Sequence, residues 1–225
     1  MNGAPDNLGK HAMSIVSYHA RVDERVLAAL PTNPDLFWEL PKKAGPAEVE
    51  SFYIDKDWSA LSWLLSAKKR EEQKYDAVQF ALARRKIDVE KRDNETWHAA
   101  MAREASKLGF ELVETEGMPD DPALIAIEGR GPSDARLAGI GYGGRVFVPT
   151  EVAALSAALD RITEADMRAH FDPKAMEEFD VAGLPWTDEE EADSLDKILI
   201  PIFNGLKAFY GRAARAGQYM LVVHG

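Results

Sequence analysis

Thr187-Asp-Glu-Glu-Glu-Ala-Asp-Ser-Leu-Asp-Lys-Ile-Leu-Ile-Pro-Ile-Phe-Asn-Gly-Leu-Lys-Ala-Phe-Tyr-Gly-Arg-Ala-Ala-Arg-Ala-Gly-Gln-Tyr-Met-Leu-Val-Val-His224 decides the fold. Leu195, Ile198, Leu199, Ile202, Leu206, Phe209, Tyr210 and Ala213 recur at steps of three and four, the spacing of one continuous helix face. Thr187 with Glu190 reads as a capping box, and the three glutamates of the first turn suit the positive end of a helix dipole. Arg212 and Arg215 fall at the negative end, and Gly217 supplies a left-handed stop. Pro201 removes one backbone donor and predicts a kink or a split. Gly205 and Gly211 are poor helix formers, so they predict close backbone packing. Tyr219 to Val223 is apolar and β-prone, which predicts a central strand covered on both faces. The fold therefore includes a long kinked C-terminal helix followed by a terminal strand.

Working back along the chain, Arg145 to Val148 reads as a strand and residues 14–20 as another, with Ile15 and Val16 apolar. Asp23 caps a short helix to Leu30, and Asn33-Pro34 starts a second one through Leu40. Residues 46–54 fit either helix or strand, with helix favoured. Asp55 is the N-cap of the next helix and Asp57 sits in its first turn, with Trp58, Leu61, Leu64 and Leu65 on one face. Residues 67–108 form two helices joined between Ile87 and Asn94, and residues 110–114 suggest a strand. Residues 122–127 are too short to assign. Three helices begin near Thr150, Thr163 and Asp172. Helices outnumber strands, and the strands share one small sheet. The fold class is α+β, a helix-rich single domain.

Composition narrows the function. The chain has 225 residues, 46% hydrophobic and 29% charged, with no cysteine. Disulfides, thiol catalysis and zinc–thiolate sites are excluded, and a reducing cytoplasm is the expected location. No apolar run is long enough to span a bilayer, and residues 1–12 read as a polar, flexible tail. The formal charge is −11. Residues 160–196 hold 13 acidic and 3 basic residues, which argues against nucleic acid and anionic membranes and suits a basic protein partner. Residues 68–92 hold 9 basic and 5 acidic residues, read as a solvated helix with interleaved charges rather than an anion-binding face.

Few motifs carry chemistry. Gly139 to Gly144 matches G-x-G-x-x-G, but a strand follows it where a dinucleotide site needs a helix. Tyr142, Gly143 and Arg145 could still meet an anionic or aromatic ligand. Asp55 and Asp57 could hold a divalent cation, although helix capping accounts for both. Residues 131–135 lack the strand–turn–helix of a nucleophile elbow. His19 and His224 end two strands and read as surface histidines, although neighbouring strands would bring them together.

Several landmarks, taken in order, resemble the YfbM-like family (bacterial domain of unknown function 1877). They are the strand at Met13-Ser-Ile-Val, the segment Ile54-Asp-Lys-Asp-Trp58-Ser-Ala-Leu61, the run Gly141-Tyr-Gly-Gly-Arg145-Val-Phe-Val-Pro-Thr-Glu-Val152, and Phe209-Tyr210 with the closing Val222-Val223. The resemblance covers residues 13–66 and about 122–225. It implies one domain over 13–225, with a helical insertion at about 67–121, and brings no catalytic residues, metal or cofactor. Two functional readings stand. The first is a cytoplasmic protein-binding module without catalysis. The second is a small-molecule-binding protein or enzyme, with a site built from the Gly139–Arg145 loop (Tyr142, Gly143, Arg145) and the helix start at Asp55, Asp57 and Trp58.

Overall fold

A computed structural model describes residues 16–33, 37, 50–137, 140, 144–183, 185–188 and 193–224. Among the described residues four strands form one antiparallel sheet in the order β2-β1-β4-β3: β1 (Ser17–Val22), β2 (Glu50–Ile54), β3 (Gly144–Phe147) and β4 (Tyr219–His224). β4 is central, between β1 and β3, and its middle four residues are buried. β2 overturns the helix favoured for residues 46–54. Its Phe52 lies opposite His19 and its Ile54 opposite Ser17, and that pairing settles a segment whose local pattern is ambiguous. Residues 110–114 take no part in the sheet.

Helices cover both faces. Among the described residues they are, in chain order, α1 (Glu24–Ala29), α2 (Asp57–Leu65), α3 (Ala67–Arg84), α4 (Trp97–Lys107), α5 (Pro122–Glu128), α6 (Pro149–Asp160), α7 (Glu164–His170), α8 (Pro173–Glu178) and α9 (Ile200–Ala216). The main core lies between one sheet face and α2, α5, α6 and α9, and contains Phe147, Trp186, Phe203, Leu206 and Phe209. On the other face Leu27, Leu30, Phe37, Leu137 and Ile140 cover Ala20, Val22, Leu221 and Val223. A smaller cluster joins α3 to α4 through Val78, Leu82, Met101 and Ala105. No helix among the described residues is long and apolar enough to cross a membrane.

The C-terminal run behaves as its punctuation requires. A π-helical turn, Leu195–Leu199, precedes α9, and the Ile200 amide bonds to the Leu195 carbonyl five residues back. Pro201 then sits at the start of α9, where a missing N–H costs least. Gly217 ends the helix at φ 61°. Gly205 faces β2 so closely that a Cβ there would lie 2.9 Å from the Phe52 ring. The capping box expected at Thr187 differs: the Thr187 amide and hydroxyl both donate to the Glu177 carboxylate, and Glu190 lies outside the described residues. The N-cap of α2 falls on Lys56, one residue beyond the Asp55 expected there. Val148 takes the N-cap of α6 in place of Thr150. The cap at Asp23 is as read, and Thr163 and Asp172 cap the helices read as starting there.

Gly144 shows how tightly β3 lies on β4, because a Cβ there would collide with the Val222 carbonyl oxygen and the Val223 side chain. Gly144→Ala should cost about 1–3 kcal/mol by forcing β3 off the central strand, read as a lower urea midpoint at unchanged m-value.

Candidate functional site

The sequence brings polar residues to one end of the helix-facing sheet surface. Strand alternation puts Ser17, His19 and Arg21 on that surface. Ser17 pairs with His224 across β1 and β4, and His19 pairs with Val222, which pairs in turn with Arg145 on β3. α5 points its C-terminus at this row and stops at Gly129, held at φ 60°.

An α-helix leaves its last four carbonyls without internal partners. Here three of the four are met by side chains from three other elements. The Tyr210 hydroxyl donates to the Ala126 oxygen at 2.9 Å, the Ser17 hydroxyl to Ile127 at 3.0 Å, and His224 Nε2 to Glu128 at 3.0 Å. Just beyond, the Arg145 guanidinium donates to the Arg130 carbonyl. Gly131 admits that guanidinium, since a Cβ would overlap it.

These bonds fix the protons. A carbonyl only accepts, so the Ser17 hydrogen points at Ile127 and its lone pairs face His19 Nε2 at 3.0 Å, which must carry hydrogen. The Ser17–His19 pair is therefore not a nucleophile with its base. His19 is fully buried, and among the described residues its Nδ1 has no hydrogen-bond partner. Burial, then the neighbouring His224, lowers its pKa from 6.5 to about 3. Burial also lowers His224, against a smaller opposing effect from its bond to Glu128. The surface-histidine reading is thus corrected for His19, because both faces of the sheet are covered. The Tyr210 hydroxyl is buried too, which raises its pKa.

Trp58 lies at the edge of this cluster. Its ring meets His224 at 5.2 Å, and Lys69 Nζ stands 5.4 Å above it. Lys69 also pairs with Glu128 at 3.1 Å. Arg130 bonds Glu128 through Nε at 2.8 Å and Glu72 through both terminal nitrogens, at 3.1 and 2.6 Å. Arg145 lies 4.4 Å over Phe147 and bonds Glu151 at 3.0 Å, and Glu151 also accepts the Val148 amide. The Asp55 carboxylate accepts the Lys56 amide at 2.8 Å. Asp57 lies in the first turn of α2. Trp58, through His224 and Lys69, and Arg145, through the Arg130 carbonyl, thus both reach one turn, residues 128–131. Tyr142 and Gly143, with Gly139 and Gly141, lie outside the described residues. Among the described residues no group of three or more His, Asp or Glu side chains could hold a metal ion. Sequence reading missed Ser17 and Tyr210, which look like ordinary strand and core residues. Only Glu128-Gly129-Arg130-Gly131, a helix end with two glycines, hinted at the turn.

Fold and site define a class: an α+β protein whose buried polar residues pin a helix end to a small antiparallel sheet. The chain belongs to the family described as Domain of unknown function (DUF1877), whose model matches residues 111–223. The crystal structure of YfbM from Escherichia coli, a protein of unknown function, superposes with a TM-score of 0.55 at 16% identity, over 93% of this chain and 99% of that one. That likeness supports the fold alone. Comparison with curated proteins found no match.

Two outcomes check this arrangement. Ser17→Ala and Tyr210→Phe each leave a buried carbonyl without its donor, so each should lower stability by about 1–3 kcal/mol in denaturant melts. An unfolded histidine keeps its ordinary pKa of 6.5, whereas His19 folded sits at about 3, so the unfolded chain binds the extra proton between those values. This contribution is complete above about pH 6.5 and is lost as pH falls toward 3, by up to about 1.4 kcal/mol per pH unit. NMR should show a His19 ring that stays neutral down to about pH 4.

Proposed function

We propose that this chain is a cytoplasmic protein-binding module without catalysis, and that its partner presents a basic surface to the acidic 160–196 region. One observation carries the reading: the polar groups a catalyst would draw on are occupied by the fold. Ser17, Tyr210 and His224 hold α5, and Arg145 is tied to the Arg130 carbonyl and Glu151. The acidic region, in contrast, keeps carboxylates at the surface. Asp160, Glu178, Asp180 and Asp188 are exposed and form no ion pair among the described residues. Others nearby are used locally, as Asp196 is by Arg168 and Asp193 by Lys197. The basic run at 68–92 offers less, since Lys68, Lys69 and Lys74 are paired and Arg70 donates to the Trp63 and Leu64 carbonyls.

A second reading places a small molecule between the Gly139–Arg145 loop and the Asp55–Trp58 helix start. It draws on Trp58 and Arg145 both reaching the same turn, and a ligand there would compete with the Arg130 carbonyl and Glu151 for the Arg145 guanidinium.

Cross-linking mass spectrometry on tagged protein in its host should give one recurrent partner with cross-links on 160–196. Capture should fall about tenfold in the variant Asp160→Asn, Glu178→Gln, Asp188→Asn and weaken with salt. A copurifying molecule of a few hundred daltons, lost from Arg145→Gln, would overturn the proposal in favour of the second reading.

A further inference from the structure

α3 turns its buried face, Val78 and Leu82, toward α4, and a second face toward solvent. Phe80 on that second face is 65% exposed, the most exposed of the large apolar side chains described. It lines a groove of about 540 Å³ between α3 and the C-terminal end of α8 with the residues that follow it. Asp76, Ala77 and Ala81 share the α3 wall, and Glu177, Glu178, Phe179 and Asp180 form the opposite one. Gln73 closes the acidic end by donating to the Phe179 carbonyl at 3.1 Å. Arg84 and Arg85 stand at the other end, with Arg84 lying 5.3 Å over the Phe80 ring. Neither arginine forms an ion pair among the described residues.

Along the α3 wall the order is therefore acidic, apolar, basic. Asp76 and Arg84 lie four residues to either side of Phe80, about 6 Å each way along the helix. A two-fold axis through Phe80 reverses the order, which is the self-complementarity an isologous contact requires. Arg84 then faces Asp76 of the other copy, Arg85 reaches toward its Glu178, and the small side chains at 77 and 81 leave room for the two phenyl rings. We propose that this α3 face joins two copies of the chain in an antiparallel two-fold dimer. The contact shares Glu178 with the acidic region of the basic-partner reading, and the two are told apart because the dimer is tested on the purified chain alone.

The experiment uses the full chain in native mass spectrometry and sedimentation equilibrium at low and high salt. The expected species has twice the 24.9 kDa chain mass and weakens as salt rises. Two double variants, Arg84→Glu with Arg85→Glu and Asp76→Lys with Glu178→Lys, should each self-associate at least about tenfold more weakly while keeping wild-type circular dichroism. Mixed together they should form a one-to-one heterodimer, because each then meets opposite charges at both ends of the contact. A wild-type monomer at high micromolar concentration would overturn the proposal. So would variants that still dimerise alone, or a mixture that does not restore association.

Discussion

Three carbonyls at the end of α5 hold this structure in its observed form. A helix terminus buried against a sheet must have its carbonyls met, since each one left unpaired costs about 1–3 kcal/mol. Ser17 comes from β1, His224 from β4 and Tyr210 from α9, so one seven-residue helix ties the N-terminal strand, the C-terminal strand and the long helix together. Moving any one of the four elements breaks a bond to at least one other. Gly129 bends the chain away from the helix end, where a Cβ would come within 3.1 Å of Val222.

The same constraint governs the chemistry. A hydroxyl beside an imidazole on a buried surface invites a catalytic reading, yet the direction of each hydrogen bond assigns the hydroxyl to α5 and the imidazole to the hydroxyl. Charge reinforces the arrangement: Lys69, Arg130 and Arg145 gather at the negative end of the α5 dipole, balanced by Glu72, Glu128 and Glu151. The far end of the same sheet face is closed in a similar way by Arg21 and Arg212 on Glu50. The hydrogen bond from Arg212, ahead of the lesser effect of Arg21, keeps that carboxyl below its ordinary pKa.

How much of this is legible in the sequence depends on the range of the interaction. The helix and strand at the C-terminus, the stop at Gly217 and the caps at Thr163 and Asp172 rest on neighbours within a few residues, and they can be read directly. β2 cannot, because Glu50 to Ile54 becomes a strand through its pairing with β1, some thirty residues away. Ser17, His19 and Arg21 alternate with Tyr18, Ala20 and Val22, which is the pattern of a solvent face, but α5 and α9 cover it. The donors to α5 lie 84 to 110 residues from their acceptors, and no local pattern announces such contacts. At the candidate site, Trp58 and Arg145 are legible as individual residues, whereas the turn they both reach is not.

Native-state hydrogen exchange tests the central claim most directly. If the α5 carbonyl contacts lock the elements together, the amides of α5, β1 and β4 should exchange as one unit, at a common free energy close to that of global unfolding. Exchange of α5 at a much lower free energy, with β1 and β4 still protected, would show that the helix merely rests on the sheet and would contradict the account.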